Sequence, residues 1–192
     1  VLQANLPDSW EEQMKLCALA KERVEQGGAR IKIRLVKGAN LAMEKVEASM
    51  HGWAQAPYGT KAQVDANYKS MLHYGCLSDI SCYFLFCFFY VRFGVASHNL
   101  FDLCYAMLLR EREGVRDQVE FEMLEGMANH QARVIRQAAD GLLLYAPVVL
   151  KEDFHSAIAY LVRRLDENTS EENFLHDLFG MTPGSRSWEV QK

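Results

Sequence analysis

The chain has 192 residues, which is enough for one substantial hydrophobic core, so the expectation is a single domain. With 49% hydrophobic and 24% charged residues, its composition is that of an ordinary globular protein. The net charge is −4, and basic residues are interleaved with acidic ones, so we expect no nucleic-acid partner for this segment.

The five cysteines predict reduced thiols rather than a metal site or a disulfide framework. Their number is odd, no two form a CxxC pair, and no histidine cluster lies near them at ligand spacing. Free cysteine is among the most buried residue types, so we expect thiols in a cytosolic core. No metal site is predicted.

The apolar stretch at residues 80–91 reads ISCYFLFCFFYV and carries no charge before Arg92. It is much shorter than the roughly 20 apolar residues that a membrane-spanning helix needs. We therefore predict a buried strand with an unusually aromatic lead-in at this position.

Short apolar runs alternate along the chain with longer segments of helical spacing. Strands are predicted at residues 1–6, 31–37, 90–96, 119–124 and 142–148. Helices are predicted to begin near Ser9, Lys61, Leu100, His130 and Asp153. Asp8 or Ser9 can cap the first helix, and Gly27 with Gly28 can end it.

This alternation predicts an α/β fold with a parallel sheet. The strands read as continuous apolar runs, as expected when both faces of the sheet are covered. Five such units fit either a doubly wound sheet or part of a (βα)8 barrel, and both place function at the carboxyl ends of the strands. Residues 181–192 are expected to form a linker or tail after a domain of residues 1–180.

Charged residues stand near the predicted strand ends, where burial is costly without a partner. Arg34 lies inside the second strand. It either meets a carboxylate, such as that of Glu122, or faces an anionic or electron-rich ligand. Gly38, directly after Lys37, allows the backbone to approach a ligand closely.

The third predicted strand ends in three polar side chains, Ser97, His98 and Asn99. A single histidine is usually structural, but a polar cluster that follows a strand and opens a helix is a candidate ligand site. The fifth predicted strand carries Tyr145 at the same edge of the sheet.

The last predicted helix carries two adjacent arginines. Tyr160 and Arg164 share one face at four-residue spacing, as do Arg163 and Glu167. Neighbouring guanidinium groups can bind one carboxylate from two directions. The alternative is a solvated helix face with an Arg163–Glu167 ion pair.

Seven segments, in order along the chain, together resemble the proline dehydrogenase family as found in bifunctional proline utilization A proteins. They are LQANLPDS (2–9), RLVKGANLAMEKVE (34–47), TKAQVDANY (60–68), GVASHNLFDL (94–103), VEFEMLEGM (119–127), LLLYAPVV (142–149) and AYLVRRLDENT (159–169). The tail TPGSRSWE (182–189) resembles the passage towards the aldehyde dehydrogenase half of those proteins.

The resemblance implies the C-terminal portion, from about strand 4 to helix 8, of a (βα)8 TIM-type barrel that binds FAD. It implies oxidation of L-proline to Δ1-pyrroline-5-carboxylate, with electrons passed to a membrane quinone. A cytoplasmic protein that contacts the inner face of the membrane is therefore expected, with a fused aldehyde dehydrogenase domain.

The resemblance also implies roles for single residues. Gln3 would contact the isoalloxazine ring, and Arg34 would be the catalytic group near its N5 atom. The other implied cofactor contacts are Lys37, Gly38, Ala39, Thr60, Lys61, Ser97, His98 and Asn99. The implied substrate-binding residues are Leu124, Tyr145, Tyr160, Arg163 and Arg164, with Glu167 as the carboxylate that holds the arginine pair.

The sequence departs from the family pattern at several positions. Asn40 stands where many members have a tyrosine of the substrate pocket, and Asn5 and Leu41 replace aromatic residues, so the stacking partner of the flavin is unassigned. The chain starts at the expected fourth strand, so the family's pocket lysine and aspartate are absent. We therefore expect the isolated chain to be unstable or inactive.

Two other functions fit parts of the sequence. One is an incomplete or degenerate, non-catalytic α/β module, which the truncated start favours and the intact arginine pair opposes. The other is a flavin barrel of the methylenetetrahydrofolate reductase type. The arginine pair opposes that function too, because it suits the carboxylate of a small amino acid.

Overall fold

A computed structural model gives the fold and describes residues 1–39, 41–77, 82–83, 88–169 and 173–192. The central sheet contains β1 (Leu2–Gln3), β2 (Ile31–Val36), β5 (Val91–Ala96), β6 (Val119–Leu124) and β7 (Leu143–Tyr145). A separate antiparallel pair consists of β3 (Cys82–Tyr83) and β4 (Phe88–Phe89). The described helices are α1 (Ser9–Glu25), α2 (Leu41–His51), α3 (Lys61–Gly75), α4 (Leu100–Arg112), α5 (Asn129–Ala138), α6 (Phe154–Thr169), α7 (Phe174–Asp177) and α8 (Arg186–Gln191), with a 3-10 turn at Lys151–Asp153.

The five strands of the central sheet are parallel, and their spatial order is their order along the chain. A doubly wound sheet reverses its order at a switch point, and the described strands show no such reversal. The predicted α/β class with a parallel sheet is confirmed, and the strand order favours the barrel over the doubly wound alternative. The assignment to strands 4–8 stays a prediction.

The predicted and observed strand boundaries agree best in the middle of the sheet. The prediction for residues 119–124 coincides with β6, whereas the run predicted at residues 142–148 pairs over only three residues. Pro147 lacks the backbone N–H that a sheet ladder requires, which limits the pairing. β1 is also shorter than predicted, because the chain turns after Gln3, where the Leu6 amide donates to the Gln3 carbonyl.

The helix starts follow the sequence closely. α1, α3 and α4 begin at the predicted Ser9, Lys61 and Leu100, and α5 and α6 begin one residue from the predicted positions. The apolar pattern does not predict α2, because none of its residues is buried and it therefore has no core-facing stripe. The predicted side-chain cap of α1 is wrong, since Asp8 makes no capping hydrogen bond and Ser9 Oγ donates to the carbonyls of Gln3 and Leu6 instead.

The two faces of the sheet differ in chemistry. Odd-numbered residues of β2, β5 and β6, such as Ile33, Phe93 and Phe121, are buried in the main hydrophobic cluster with residues of the helices. Even-numbered residues of β2 and β6, such as Arg34 and Glu122, place charges on the opposite face. The expectation that these strands are apolar on both faces is therefore wrong. The expected burial of both faces holds for β5 and β6, in which every residue but Arg92 and Glu120 is buried.

The C-terminal segment packs against the beginning of α4. Asn99 Nδ2 donates to the Gln191 carbonyl at 3.0 Å, and the Phe101 and Trp188 rings meet edge to face at 4.9 Å. The Gln191 residue is only 3% exposed. Residues predicted as a linker or tail thus include a helix that contacts the sheet end, while the domain boundary at residue 180 stays a prediction.

The cysteine expectation holds in part. Cys17 and Cys76 are buried, and burial raises their pKa values to about 11 and about 12, so both are neutral thiols at physiological pH. Cys104 is exposed instead.

The aromatic lead-in at residues 80–89 is only partly described. Residues 78–81 and 84–87 lie outside the described residues. The strand predicted from residue 90 is confirmed as β5, which begins at Val91. No helix within the described ranges is long and apolar enough to cross a membrane.

Gly75, the last residue of α3, shows how tightly this helix packs on the sheet. A Cβ atom there would lie 2.6 Å from ring carbons of Phe93 in β5. We expect Gly75→Ala to lower the free energy of unfolding by about 1–3 kcal/mol, the usual cost of overpacking a core. Urea denaturation of the protein, expressed with any coding sequence that flanks this chain, measures the change.

Gly59→Ala is the control for that measurement. Its Cβ atom would make only an ordinary contact, 3.9 Å from Gln63 Oε1. Equal urea midpoints for the two variants would contradict the close approach of α3 to β5.

Candidate functional site

A cavity of about 460 Å³ opens at the carboxyl ends of the parallel strands. The last residue of each strand in the sheet lines it, namely Gln3, Val36, Ala96, Leu124 and Tyr145. Parallel strands present their carboxyl ends at one edge, which is where α/β proteins place their sites. The cavity therefore lies where the sequence predicted the site.

Most of the predicted site residues line this cavity. They are Gln3, Arg34, Lys37, Gly38, Ala39, Lys61, Ser97, His98, Asn99, Leu124, Tyr145, Tyr160 and Arg164. Thr60 and Arg163 are not among the lining residues. The side chain of Glu167 and the whole of Asn40 lie outside the described part of the chain.

Arg34 meets the carboxylate that the sequence offered as its partner, whereas its role towards a ligand stays a prediction. Its Nε donates to Oε2 of the buried Glu122, and its guanidinium carbon lies 4.2 Å from the centroid of the Tyr145 ring. Its Nη2 is buried without a hydrogen-bond partner among the described residues. Burial lowers the pKa of Arg34, but Glu122 and Tyr145 raise it more, so the net direction is upwards. Arg34 thus keeps its positive charge beside the cavity.

Lys37 is held between two carboxylates at the end of β2. Its Nζ lies 2.5 Å from Asp65 Oδ1 and 2.8 Å from Asp102 Oδ2. Asp65 also binds Lys61, at 2.5 Å. Burial lowers the pKa of Lys37, but Asp102 and Asp65 raise it more, so the ammonium form persists. The two carboxylates thereby fix both lysines at the rim of the cavity.

Gly38 is required by its immediate surroundings. Its φ of +116° belongs to a backbone region that favours glycine, and a Cβ atom would overlap the Asn5 side chain. The sequence predicted that a ligand would lie close to the Gly38 backbone. Among the described residues, the side chain of Asn5 lies there.

Ser97 and Asn99 have local structural roles at this edge. Ser97 Oγ donates to Asp102 Oδ2 at 3.0 Å and accepts from the Asn99 amide at 3.1 Å. Asn99 Oδ1 accepts from the Phe101 amide at 2.9 Å and so caps α4. Thr60 has the same kind of role, since its hydroxyl caps α3 by accepting from the Gln63 amide. The predicted cofactor contacts of these residues stay untested.

His98 keeps one ring nitrogen unused. Its Nε2 accepts from the Leu124 amide at 3.2 Å, which places the ring proton on Nδ1. Nδ1 is buried and has no partner within the described residues. Burial lowers the pKa of His98 to about 4, so the ring is neutral at physiological pH. His98 therefore presents a neutral donor at the cavity.

The tyrosines Tyr145 and Tyr160 also line the cavity. Arg164 Cζ lies 5.1 Å from the centroid of the Tyr160 ring, as expected for their four-residue spacing on α6. Burial raises the pKa of Tyr145 while the neighbouring Arg34 lowers it, and the net direction is upwards, so the phenol stays protonated.

The sequence missed several residues of the site. Val1, Met127, Asn173, Phe174 and Gln191 also line the cavity, and the last three lie far along the chain from the strand ends. No local pattern marks them. Asp65 had a usable signal, since it lies four residues after Lys61 at the start of a predicted helix.

The lining has a clear charge bias. Of the described lining residues, four are cationic, namely Arg34, Lys37, Lys61 and Arg164, and none carries a carboxylate. The described residues contain no group of three His, Cys, Asp or Glu side chains placed to hold a metal ion. The cavity is therefore suited to an anionic organic ligand.

A family model described as proline dehydrogenase matches residues 1–177. The chain belongs to the proline dehydrogenase family. The bifunctional protein PutA of Klebsiella aerogenes is 34% identical over 158 residues, which are 77% of this chain and 11% of that protein. PutA of Escherichia coli K12 has the same identity and coverage. The chain thus spans about a tenth of the length of these curated relatives.

Solved structures of proline utilization A proteins agree with this family. That from Corynebacterium freiburgense is 46% identical, with a TM-score of 0.79 over 99% of this chain and 18% of that one. That from Bdellovibrio bacteriovorus, inactivated by N-propargylglycine, is 35% identical with a TM-score of 0.81, over 100% and 18%. The parallel five-stranded sheet is similar to the proline dehydrogenase domain of these proteins, which is a barrel.

The neutral ring of His98 makes stability depend on pH. The unfolded ring has a pKa near 6.5 and the folded one about 4, so only the unfolded state takes up a proton between these values. Stability contributed above pH 6.5 is therefore lost as the pH falls towards 4. We expect about 2 kcal/mol of loss between pH 7 and pH 5 from this residue.

Urea denaturation at both pH values checks this, with His98→Gln as the matched variant because glutamine does not titrate and can accept from the Leu124 amide. The loss on acidification should be about 2 kcal/mol larger for the wild type. Parallel pH profiles for the two proteins would show that His98 titrates normally in the folded state.

Proposed function

We propose that this chain carries the flavin and substrate site of a proline dehydrogenase. The activity is FAD-dependent oxidation of L-proline to Δ1-pyrroline-5-carboxylate, with electrons passed to a membrane quinone. The observation that carries the proposal is the cavity at the strand ends, with four cations and no carboxylate among its described lining residues. Membership of the proline dehydrogenase family supports it.

The lining residues fit FAD in charge and in hydrogen-bonding character. Arg34 Nη2 and His98 Nδ1 are buried donors without partners among the described residues, and a flavin offers ring nitrogens, carbonyls and phosphates as acceptors. Lys37 and Lys61 give the rim a positive charge that suits a diphosphate. The proposed cofactor contacts are Gln3, Arg34, Lys37, Gly38, Ala39, Thr60, Lys61, Ser97, His98 and Asn99.

The proposed proline site lies between the strand ends and α6. Arg164 would anchor the carboxylate of the substrate, and Leu124 would form an apolar wall for its ring. Tyr145 and Tyr160 supply flat surfaces beside it. Arg163, adjacent in sequence, would complete the carboxylate anchor, with Glu167 as the group that holds the arginine pair.

The bound flavin would supply the redox chemistry, as the acceptor of a hydride from Cδ of proline, the carbon bonded to nitrogen that does not bear the carboxylate, while the nitrogen loses a proton. The chain's own task is to bind, orient and polarise. A substrate carboxylate held on α6 places the proline ring towards Tyr145 and Arg34. Arg34 keeps its positive charge and stabilises negative charge that accumulates beside it, which makes it the proposed catalytic group.

The proposal extends to the whole protein. The described strands would be strands 4–8 of the family's barrel, in a domain spanning residues 1–180. The bifunctional relatives support a fused aldehyde dehydrogenase domain. A cytoplasmic protein that meets the inner face of the membrane at its quinone acceptor completes the proposal.

The test uses the protein expressed with any coding sequence that flanks this chain. We expect a flavin visible spectrum that bleaches when L-proline is added without oxygen, and inactivation by N-propargylglycine. Arg164→Met should weaken proline binding about 10- to 100-fold, because it removes charge-assisted hydrogen bonds. Arg133→Met, at an exposed position of α5, is the control and should bleach like the wild type.

A colourless protein would favour the non-catalytic module. A flavin that proline does not reduce would favour another substrate. Equal bleaching in Arg164→Met and Arg133→Met would remove Arg164 from the substrate site while leaving the oxidation itself intact.

A further inference from the structure

A row of alternating charges crosses the polar face of the sheet below the cavity. Lys32 and Arg34 stand on β2, Arg92 on β5, and Glu120 and Glu122 on β6. Lys32 Nζ lies 2.5 Å from Glu120 Oε1 and 2.7 Å from Glu122 Oε1, and Arg92 Nη2 lies 3.7 Å from Glu120 Oε2. Arg34 is the member of the row that also lines the cavity.

Glu122 is the most buried charge of the row, with a side chain only 2% exposed. A buried carboxylate is costly unless cations pair with it, and Glu122 has two. Arg34 Nε donates to its Oε2, and Lys32 Nζ meets its Oε1 as an ion pair without hydrogen-bond geometry. Loss of Glu122 would leave both cations without their most buried partner.

This pairing reaches across an intervening strand. β5 lies between β2 and β6, and Gly94 of β5 is the register partner of both Arg34 and Glu120. A Cβ atom on Gly94 would lie 2.5 Å from Glu122 Oε1 and 3.2 Å from Lys32 Cε. The missing side chain of Gly94 is therefore the space through which Glu122 reaches β2.

The pairing also determines which edge of Arg34 is available. Glu122 occupies the Nε edge, and the Tyr145 ring covers one face at 4.2 Å from the guanidinium carbon. Nη2 is left buried, without a partner among the described residues. Glu122 and Tyr145 together therefore determine which edge of the Arg34 guanidinium remains available.

We propose that Glu122 is a positioning residue for Arg34, admitted by Gly94, and that its charge lowers the reduction potential of the bound flavin. The second clause rests on the proposed function. A cation beside the flavin favours the extra negative charge of reduction, and the buried carboxylate behind that cation opposes it. Glu122 therefore offsets part of the increase in flavin reduction potential that Arg34 causes, and it also fixes the position of the Arg34 guanidinium.

Three variants separate the effect of the Glu122 charge, the effect of the Glu122 position, and the effect of removing a neighbouring carboxylate that does not contact Arg34. Glu122→Gln keeps the shape and an acceptor oxygen but removes the charge. Gly94→Ala keeps every charge but places a methyl group where Glu122 Oε1 stands, and the flexible carboxylate must move aside. Glu120→Gln is the control, because Glu120 stands on the same strand and face yet contacts Lys32 and Arg92 rather than Arg34.

The measurements are the flavin midpoint potential and crystal structures of each variant, on protein expressed with any flanking coding sequence. Glu122→Gln should favour reduction about tenfold, a positive shift of about 30 mV for two electrons. Gly94→Ala should displace the guanidinium of Arg34 in the crystal and lower kcat for proline more than KM changes. Glu120→Gln should leave the potential and Arg34 unchanged.

An unchanged Arg34 in Gly94→Ala would overturn the positioning role, with or without flavin. A potential that shifts equally in Glu122→Gln and Glu120→Gln, or in neither, would overturn the electrostatic role. Wild-type protein that binds no flavin would contradict the proposed function and the electrostatic role with it, while the crystal structures would still decide the positioning of Arg34.

Discussion

The pairing of Glu122 with Arg34 and Lys32 is the interaction on which the site depends. It joins β6 to β2 over the top of β5, and it exists only because the parallel register places Gly94 between them. A carboxylate buried to this degree needs both cations. The sheet is thus held by its apolar face against the helices and by this charged row on the other face, and the free edge of Arg34 follows from the row together with Tyr145.

The same arrangement recurs around the cavity: a cation lines it, and the carboxylate that pairs with this cation does not. Glu122 stands behind Arg34, and Asp65 and Asp102 stand around Lys37. The carboxylates are not among the described lining residues, so the cavity itself meets cations alone. The carboxylates offset the free-energy cost of burying these cations, and the cations still give the cavity a positive surface that suits an anionic ligand. Membership of the proline dehydrogenase family gives this surface its proposed use.

Several residues in the segments that resemble the family stabilise the fold, independently of any contact with a ligand. Asn99 caps α4 and holds the carbonyl of Gln191, and Thr60 caps α3. Asn99 follows the end of β5, so its capping side chain and the cavity share one edge of the sheet, whereas Thr60 follows α2 and is not among the described lining residues. His98 is different, since its Nδ1 is buried and unused by the described residues.

The sequence by itself determined the order of the five strands of the central sheet and of five of the helices, the α/β class, and the edge of the sheet at which the polar residues gather. These are local properties: apolar runs, helix caps and strand ends can be read within about ten residues. The sequence did not predict α2 or the C-terminal helix α8. Tertiary structure alone decided that Arg34 meets Glu122, that Lys37 lies between Asp65 and Asp102, and that Phe174 and Gln191 close the cavity. Arg34 and Glu122 are 88 residues apart, and their contact depends on strand register and on the absence of a side chain at Gly94, which no local pattern encodes.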